Sequence, residues 1–224
     1  PAFGLHNTTI DGVTIAVTEE TRLARPFCNL VHFRRATNGR ATKRRDPTVL
    51  LVAPLSGHHA TLLRDTVRAL LPEHEVYLTD WIDARMVPLS DGSFHLDDYV
   101  GYIREFVAAL GPNVHVISVC QPTVPVLAAV SLDAADDVAV KPLTMTMMGG
   151  PIDSRRGPTA VNNLATQKPL LWFERHVIHR VPSKYPGFGR PVYPGFLQHM
   201  GFVAMNPDRH ARAHWDYFDH LIKG

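Results

Sequence analysis

The segment V-H-V-I-S-V-C-Q-P-T-V-P-V-L-A-A-V-S-L, residues 114–132, decides the fold class. Residues 114–119 form an apolar, largely β-branched run suited to a strand. From about Pro122 to Leu132 the pattern is that of a helix, so the chain must turn sharply at S-V-C-Q-P, residues 118–122. Moving toward the N-terminus, residues 96–110 read as an amphipathic helix, with Tyr99, Ile103, Phe106, Val107 and Leu110 on one face and Gly111-Pro112 closing it. Residues 75–79 read as a strand ending in Asp80-Trp81. Residues 59–71 carry Leu62, Leu63, Val67, Leu70 and Leu71 at helical spacing up to Pro72. Residues 48–53 are a continuous apolar run, as a strand covered on both faces requires. Toward the C-terminus, residues 143–148 form another strand, ended by Gly149-Gly150-Pro151.

Strand and helix alternating on this rhythm predict right-handed βαβ units and a mostly parallel sheet with helices on both faces, an α/β class. Residues 12–19 and 27–34 alternate polar and apolar positions and read as an antiparallel pair opening the sheet, with Thr37-Asn38-Gly39 as a turn after the second. Six strands are legible in residues 1–151. From Ile152 the character changes. Pro182, Pro186, Pro191, Pro194 and Pro207 break the helical patterns, and aromatic residues become dense. Residues 152–224 therefore read as a cap or lid set beside the core, with a helix-like end at 214–222.

Composition narrows the function classes. A chain of 224 residues buries roughly 70% of its unfolded surface, so it needs neither disulfide nor metal staples. Hydrophobic content of 45% and charged content of 20% are ordinary for a globular protein. Net charge is +2, and the basic run 40–45 (R-A-T-K-R-R) has no accompanying aromatic or glycine pattern, which argues against a nucleic-acid partner. The two cysteines, Cys28 and Cys120, are too few for a disulfide framework and fit a reducing compartment. No run approaches the ~18 apolar residues of a membrane span. No secretory leader is visible, although a chain that opens at Pro1 rather than Met leaves room for an upstream segment; the expectation is a soluble cytoplasmic α/β domain. H-E-x-x-H and C-x-x-C spacings are missing, which predicts no metal, and no cofactor is expected.

The chemistry concentrates at Ser118-Val119-Cys120-Gln121-Pro122. A nucleophile on a sharp strand-to-helix turn is the arrangement of the α/β-hydrolases, where it is usually written G-x-S-x-G. Cys120 stands at the nucleophile position and Ser118 at the first small position, but neither glycine is present. The Gln121 backbone N–H, at the helix N-terminus, would face a developing oxyanion. The second donor of such a site follows the earlier strand, where Leu55 and Ser56 of A-P-L-S-G-H-H (53–59) are placed to supply it. On spacing alone, Cys120 reads equally as a buried small hydrophobe and the S-G-H stretch as a plain turn, with His58 and His59 as loop or capping residues. Asp153 follows the sixth strand, where some hydrolases keep the acid, and reads more readily as a turn former in G-G-P-I-D.

Several stretches then share one resemblance: P-F-C-N-L-V-H-F-R-R (26–35), V-A-P-L-S-G-H-H-A-T-L-L-R-D-T-V (52–67), V-C-Q-P-T-V-P-V-L-A-A-V-S-L (119–132), M-G-G-P-I-D-S-R (148–155) and Y-P-G-F-L-Q-H-M-G-F (193–202). Together they resemble the intracellular poly(3-hydroxyalkanoate) depolymerases, of polyhydroxybutyrate (PHB) type. The resemblance implies an α/β-hydrolase with a Cys-Asp-His triad in which Cys120 is the nucleophile and the Asp and His follow residue 224. It also implies ester hydrolysis of polyhydroxyalkanoate granules in the cytoplasm, with the aromatic side chains of the cap, Tyr185, Phe188 and Phe196 among them, contacting the polymer. Two alternatives stay open, a polyhydroxyalkanoate synthase running the same acyl-thioester chemistry in the other direction and a granule-binding module without activity. Oligomeric state is not legible.

Overall fold

The computed structural model describes residues 3–36, 46–55, 61–157, 160–205 and 207–223. The basic run, the Thr37-Asn38-Gly39 turn and residues 56–59, which include Ser56, lie outside the described residues. The chain divides into two compact units, Pro1–Ile152 and Asp153–Gly224.

Among its described residues the first unit holds seven strands: β1 (Asn7–Ile10), β2 (Val13–Arg25), β3 (Cys28–Arg35), β4 (Thr48–Val52), β5 (Glu75–Trp81), β6 (Val114–Val119) and β7 (Thr144–Met148). Three helices join them: α1 (Arg64–Leu70), α2 (Leu96–Leu110) and α3 (Thr123–Ala135). One sheet results, in the order β1-β2-β3-β5-β4-β6-β7. Strands β5, β4, β6 and β7 are parallel, and β1 to β3 continue the sheet antiparallel. The α/β-hydrolase arrangement expected from the sequence is present.

Three differences from the sequence reading have local causes. Strand β1 was too short and polar to be foreseen, yet Asp11-Gly12 gives the two successive left-handed residues (φ 49° and 78°) of a tight hairpin turn. Strand β2 runs on to Arg25 because it serves two ladders. Val13–Ala16 pairs with β1, and residues 17–25 pair with β3 across an irregularity at Thr21/Leu23. Its charged second half, E-E-T-R, hides the strand pattern. Helix α1 proper starts only at Arg64, after a 3₁₀ turn at Thr61–Leu63.

The core lies where the apolar runs predict. Leu50, Leu51, Leu78, Val76, Val116 and Phe33 are fully buried on the strands, with Ile103 and Phe106 facing them from α2. Each such side chain is worth roughly 1.5–3 kcal/mol of burial. The crossovers β5–α2–β6 and β6–α3–β7 advance the same way across the sheet, and right-handed geometry therefore sets α2 and α3 on one face. There Arg104 of α2 reaches Asp133 of α3 (2.5 Å) and Asp136 (2.7 Å), which caps the carboxyl end of α3.

The second unit corrects the expectation that proline breaks every helix. It contains α4 (Ala160–Gln167), α5 (Leu170–His176), α6 (Gly195–Met205) and α7 (Pro207–Lys223), with a small hairpin of β8 (His179–Arg180) and β9 (Pro191–Val192). Pro169, Pro194 and Pro207 stand at helix starts, where a missing N–H costs nothing. Helix α7 begins seven residues before the predicted 214 because Pro207 sits in its first turn. Between β8 and β9 the Pro/Gly-rich residues form consecutive turns. Tyr185, Phe188 and Arg190 N–H groups donate to Pro182, Tyr185 and Gly187 carbonyls at 3.0–3.2 Å. Val181 anchors this loop, fully buried, with its N–H on the Arg190 carbonyl. No helix among the described residues is long and apolar enough to cross a membrane.

At the amino ends of β4 and β5 an ion cluster fastens the sheet. Glu75 meets His32 at 3.0 Å and Arg35 at 2.5 Å, Arg35 meets Asp46 at 2.8 Å, and His32 stacks on Tyr77. The hydrogen bond from His32, reinforced by Arg35, lowers the Glu75 carboxyl to about 2 from 4.5. A carboxyl lowered on folding stabilises above its unfolded value and loses that contribution as pH falls toward its folded value. Urea unfolding should therefore show stability falling between pH 4.5 and 2. Glu75→Gln should flatten this acid limb by about 1 kcal/mol, the figure being discounted for the carboxyl's partial exposure. An unchanged limb in the variant would assign the acid sensitivity to other groups.

Candidate functional site

Topology locates the site before any residue role is assigned. From β4 the chain moves by α1 to β5 on one side, then by α2 to β6 on the other, so the strand order reverses between β4 and β6. In open α/β sheets ligands bind outside the carboxyl ends of the strands at such a switch point. The register pairs Val52 with Ser118, so the two adjacent carboxyl ends lead directly into Ala53-Pro54-Leu55 and Cys120-Gln121.

Cys120 has φ +69°, a left-handed conformation that non-glycine residues rarely adopt. Its N–H donates to the Met148 carbonyl of β7 at 2.8 Å. Its carbonyl accepts both the Thr123 N–H (3.2 Å) and the Thr123 hydroxyl (2.9 Å). Both peptide groups of the turn are thereby fixed, and the side chain stands exposed. The reading of Cys120 as a buried small hydrophobe is thus set aside by its geometry. Ser118, fully buried, donates to the Thr146 carbonyl at 3.3 Å and closes the strand below the turn. The glycines missing from the turn itself have a counterpart across the sheet. A Cβ at Gly150 would overlap the Thr123 side chain, so this glycine lets the segment after β7 lie against the start of α3.

The β4 loop is held just as firmly. The Ala53 N–H donates to Thr79 Oγ1 at 2.9 Å, and the Ala53 carbonyl accepts from Trp81 Nε1 (2.8 Å) and the Tyr99 hydroxyl (3.3 Å). Burial pushes the Tyr99 phenol far up, so it remains a donor throughout the usual pH range. The sequence places Tyr99 on the apolar face of a helix and Trp81 just past a strand and gives Thr79 no role; nothing in their spacing reveals that they converge on one residue. The Leu55 N–H donates to Gln121 Oε1 at 3.3 Å, which joins the β4 loop to the Cys120 turn. Gln121 and Leu55 are therefore brought together.

The remaining candidates belong to the second unit. Asp153 belongs to the second unit and holds the Arg155 N–H at 3.0 Å and its guanidinium at 2.8 and 3.0 Å, which depresses its carboxyl below the usual range. Its present contacts are those of a turn former. Phe188 (58% exposed) stands out from the loop between β8 and β9, Phe196 (64%) lies on α6, and half-buried Tyr185 lies under the Lys184 ammonium at 5.0 Å. Among the described residues of the first unit no histidine is hydrogen-bonded to Cys120. His32 faces Glu75, His74 the Leu70 carbonyl, and His115 Thr144. Among the described residues no group of three His, Cys, Asp or Glu is disposed to hold a metal ion.

Residues 149–224 match the family model described as PHB de-polymerase C-terminus. The match covers two of the five segments that carry the resemblance, M-G-G-P-I-D-S-R from Gly149 on and Y-P-G-F-L-Q-H-M-G-F, and shows the likeness to the PHB depolymerases over that part. None of the curated proteins matches the chain. Among solved structures, an α/β hydrolase enzyme from the metagenome of Lake Arreo, Spain, aligns with 71% of this chain at 15% identity and a TM-score of 0.44. An arylesterase aligns with 62% at 12% identity and a TM-score of 0.39. A protein described as a candidate lipase from Acinetobacter baumannii AYE aligns with 92% at 15% identity and a TM-score of 0.45. The chain spans about half the length of the first two, 50% and 46%, and 66% of the third.

The left-handed turn carries a stability cost that can be measured. A non-glycine residue at such φ is disfavoured by roughly 1–2 kcal/mol relative to glycine. Cys120→Gly should raise Tm by about 2–4 °C, as ~1 kcal/mol does in a chain of this size, whereas Cys120→Ala should not. Equal melting temperatures for the two variants would show that no strain is stored at this turn.

Proposed function

We propose that the chain carries the nucleophile and the oxyanion donors of a cysteine-dependent ester hydrolase that cleaves polyhydroxyalkanoate. The observation that supports this most directly is an exposed cysteine in a left-handed strand-to-helix turn at the sheet's switch point. The chain that bears it matches the PHB de-polymerase C-terminus over residues 149–224.

In this reading Cys120 Sγ attacks the ester carbonyl carbon, and the carbonyl electron pair moves onto oxygen. The Gln121 N–H, at the amino end of α3, and an N–H of the β4 loop from Leu55 or Ser56 receive that charge. Collapse of the tetrahedral species breaks the acyl–oxygen bond and releases the hydroxyl end of the polymer. The Cys120 thioester is then hydrolysed by water, which frees the acid and restores the thiol. The general base is a group other than His32, His74 and His115, whose ring nitrogens are engaged elsewhere. Asp153, occupied by Arg155, serves its turn rather than the triad.

The second unit serves as the cap in this proposal. Phe188 and Phe196 expose apolar area of the kind that marks interaction surfaces. Phe188 rides on a turn-rich loop closed by its own backbone bonds, so presenting it to a polyester costs little ordering entropy. The setting is the surface of a polymer granule in the cytoplasm.

Cys120→Ala should lower ester cleavage by at least about a thousandfold without unfolding the protein, as loss of a nucleophile does. Iodoacetamide should modify Cys120 and spare Cys28, which is fully buried with its thiol raised well above the ordinary range by desolvation. Ester turnover surviving in the Ala variant would end the cysteine-hydrolase reading.

Phe188→Ala and Phe196→Ala should reduce granule association and polymer hydrolysis about 3- to 10-fold, as the loss of one apolar contact does. Nitrophenyl ester cleavage should stay within about twofold, since a small ester has no polymer chain for these rings to hold. Parallel losses on both substrates with a lowered Tm would make these rings packing residues.

A further inference from the structure

The contact between Gln121 and Leu55 carries more than a link between loops. Along the segment leaving β4, the Ala53 N–H is taken by Thr79 and Pro54 has none, so the Leu55 N–H is the first backbone donor not built into the loop's own frame. Trp81 and Tyr99 hold the Ala53 carbonyl, and the Pro54 ring fixes its own φ, so the segment that leads to Leu55 starts from a held peptide. What meets it is a planar amide oxygen, Gln121 Oε1, at 3.3 Å. That oxygen has the hybridisation of an ester carbonyl, and it belongs to the residue next to Cys120. Gln121 is exposed and the bond is long, so the occupant is loosely held.

We infer that the Gln121 carboxamide is a displaceable occupant of the Leu55 oxyanion donor, standing where a substrate's carbonyl oxygen binds. The inference rests on the ester-hydrolase reading and sharpens it in two ways. Leu55 becomes the β4-loop donor, and the Gln121 side chain becomes a residue that selects between ground and transition states. A neutral ester oxygen is a weaker acceptor than an amide oxygen and competes poorly for the N–H. The oxyanion formed when Sγ attacks makes a charge-assisted bond and displaces the carboxamide. Removing the occupant should therefore help acylation, and strengthening it should hinder acylation.

Two reactions at one thiol isolate the effect. A nitrophenyl ester acylates Cys120: the S–C bond forms, the acyl–oxygen bond breaks, nitrophenolate leaves, the thiol proton passes to solvent, and an oxyanion forms on the way. Iodoacetamide alkylates the same sulfur by displacing iodide and forms no oxyanion. The ratio of the two rates cancels changes in thiol reactivity. Relative to the unmodified protein, Gln121→Leu should raise this ratio about 2- to 5-fold, the range one weak neutral hydrogen bond spans, and Gln121→Glu, a stronger acceptor, should lower it. Amide hydrogen exchange at Leu55 should accelerate several-fold in Gln121→Leu. A ratio that falls in Gln121→Leu would make the side chain a strut and overturn the inference, and so would unchanged Leu55 exchange. If the unmodified protein is alkylated at Cys120 yet never acylated, the ester-hydrolase reading fails instead, and Leu55 exchange still decides whether the carboxamide holds that donor.

Discussion

The hydrogen bond from the Cys120 N–H to the Met148 carbonyl spans the gap between the end of β6 and the end of β7. A strand that must bend abruptly into a helix loses its ladder partner at the bend, and a backbone donor left unpaired there is costly. By reaching the last residue of the neighbouring strand, this donor stays satisfied while the residue adopts φ +69°. Thr123 completes the arrangement from the helix side with two donors on the Cys120 carbonyl. Thr123 can approach only because position 150 lacks a side chain. Sheet register, turn conformation, helix start and one glycine are thus mutually dependent, and the exposed sulfur is their common product.

A second fixed point stands beside the first. Ala53 is gripped by Thr79 and Trp81 from β5 and by Tyr99 from α2. All three partners are buried, so their hydrogen bonds are shielded from water and Ala53 shares the rigidity of the core. The two strand ends that face each other at the reversal of strand order are therefore not mobile tips but extensions of the packed interior. Such preorganisation is what the stabilisation of a transient charge requires, since donors that must first be gathered contribute little.

The parallel half of the sheet was legible because strands covered on both faces are written as unbroken apolar runs, as 48–53 and 114–119 are. The turn at 118–122 was legible because strand and helix patterns abut there without a linker. Strand β1 and the far half of β2 were not, since edge strands carry polar and charged residues whose pairing depends on partners distant in sequence. In the second unit the prolines were correctly seen as punctuation, but their position at helix starts rather than interiors depends on the frame of each helix, which composition does not contain. The clamp on Ala53 was hidden for a different reason. Trp81 and Tyr99 meet the apolar criteria for a core, and nothing in a linear pattern shows that an indole N–H and a phenol O–H aim at the same carbonyl. The replacement of the turn's own glycine by Gly150, from the next strand's end, is likewise a relation between segments.

The indole of Trp81 sits one hydrogen bond from the loop that flanks Cys120 and packs edge-on against Tyr99, with ring centres 4.5 Å apart. It is almost wholly shielded from water, whereas Trp215 is 75% exposed. The chain has three tryptophans, the third being Trp172, which is stacked on His176 in the second unit. Trp81 is thus a native fluorophore whose emission colour reports the polarity and bonding of the β4 loop, spectrally apart from a solvent-exposed indole. With Trp172 and Trp215 replaced by phenylalanine, the protein would carry a single optical gauge at the mouth of its own candidate site.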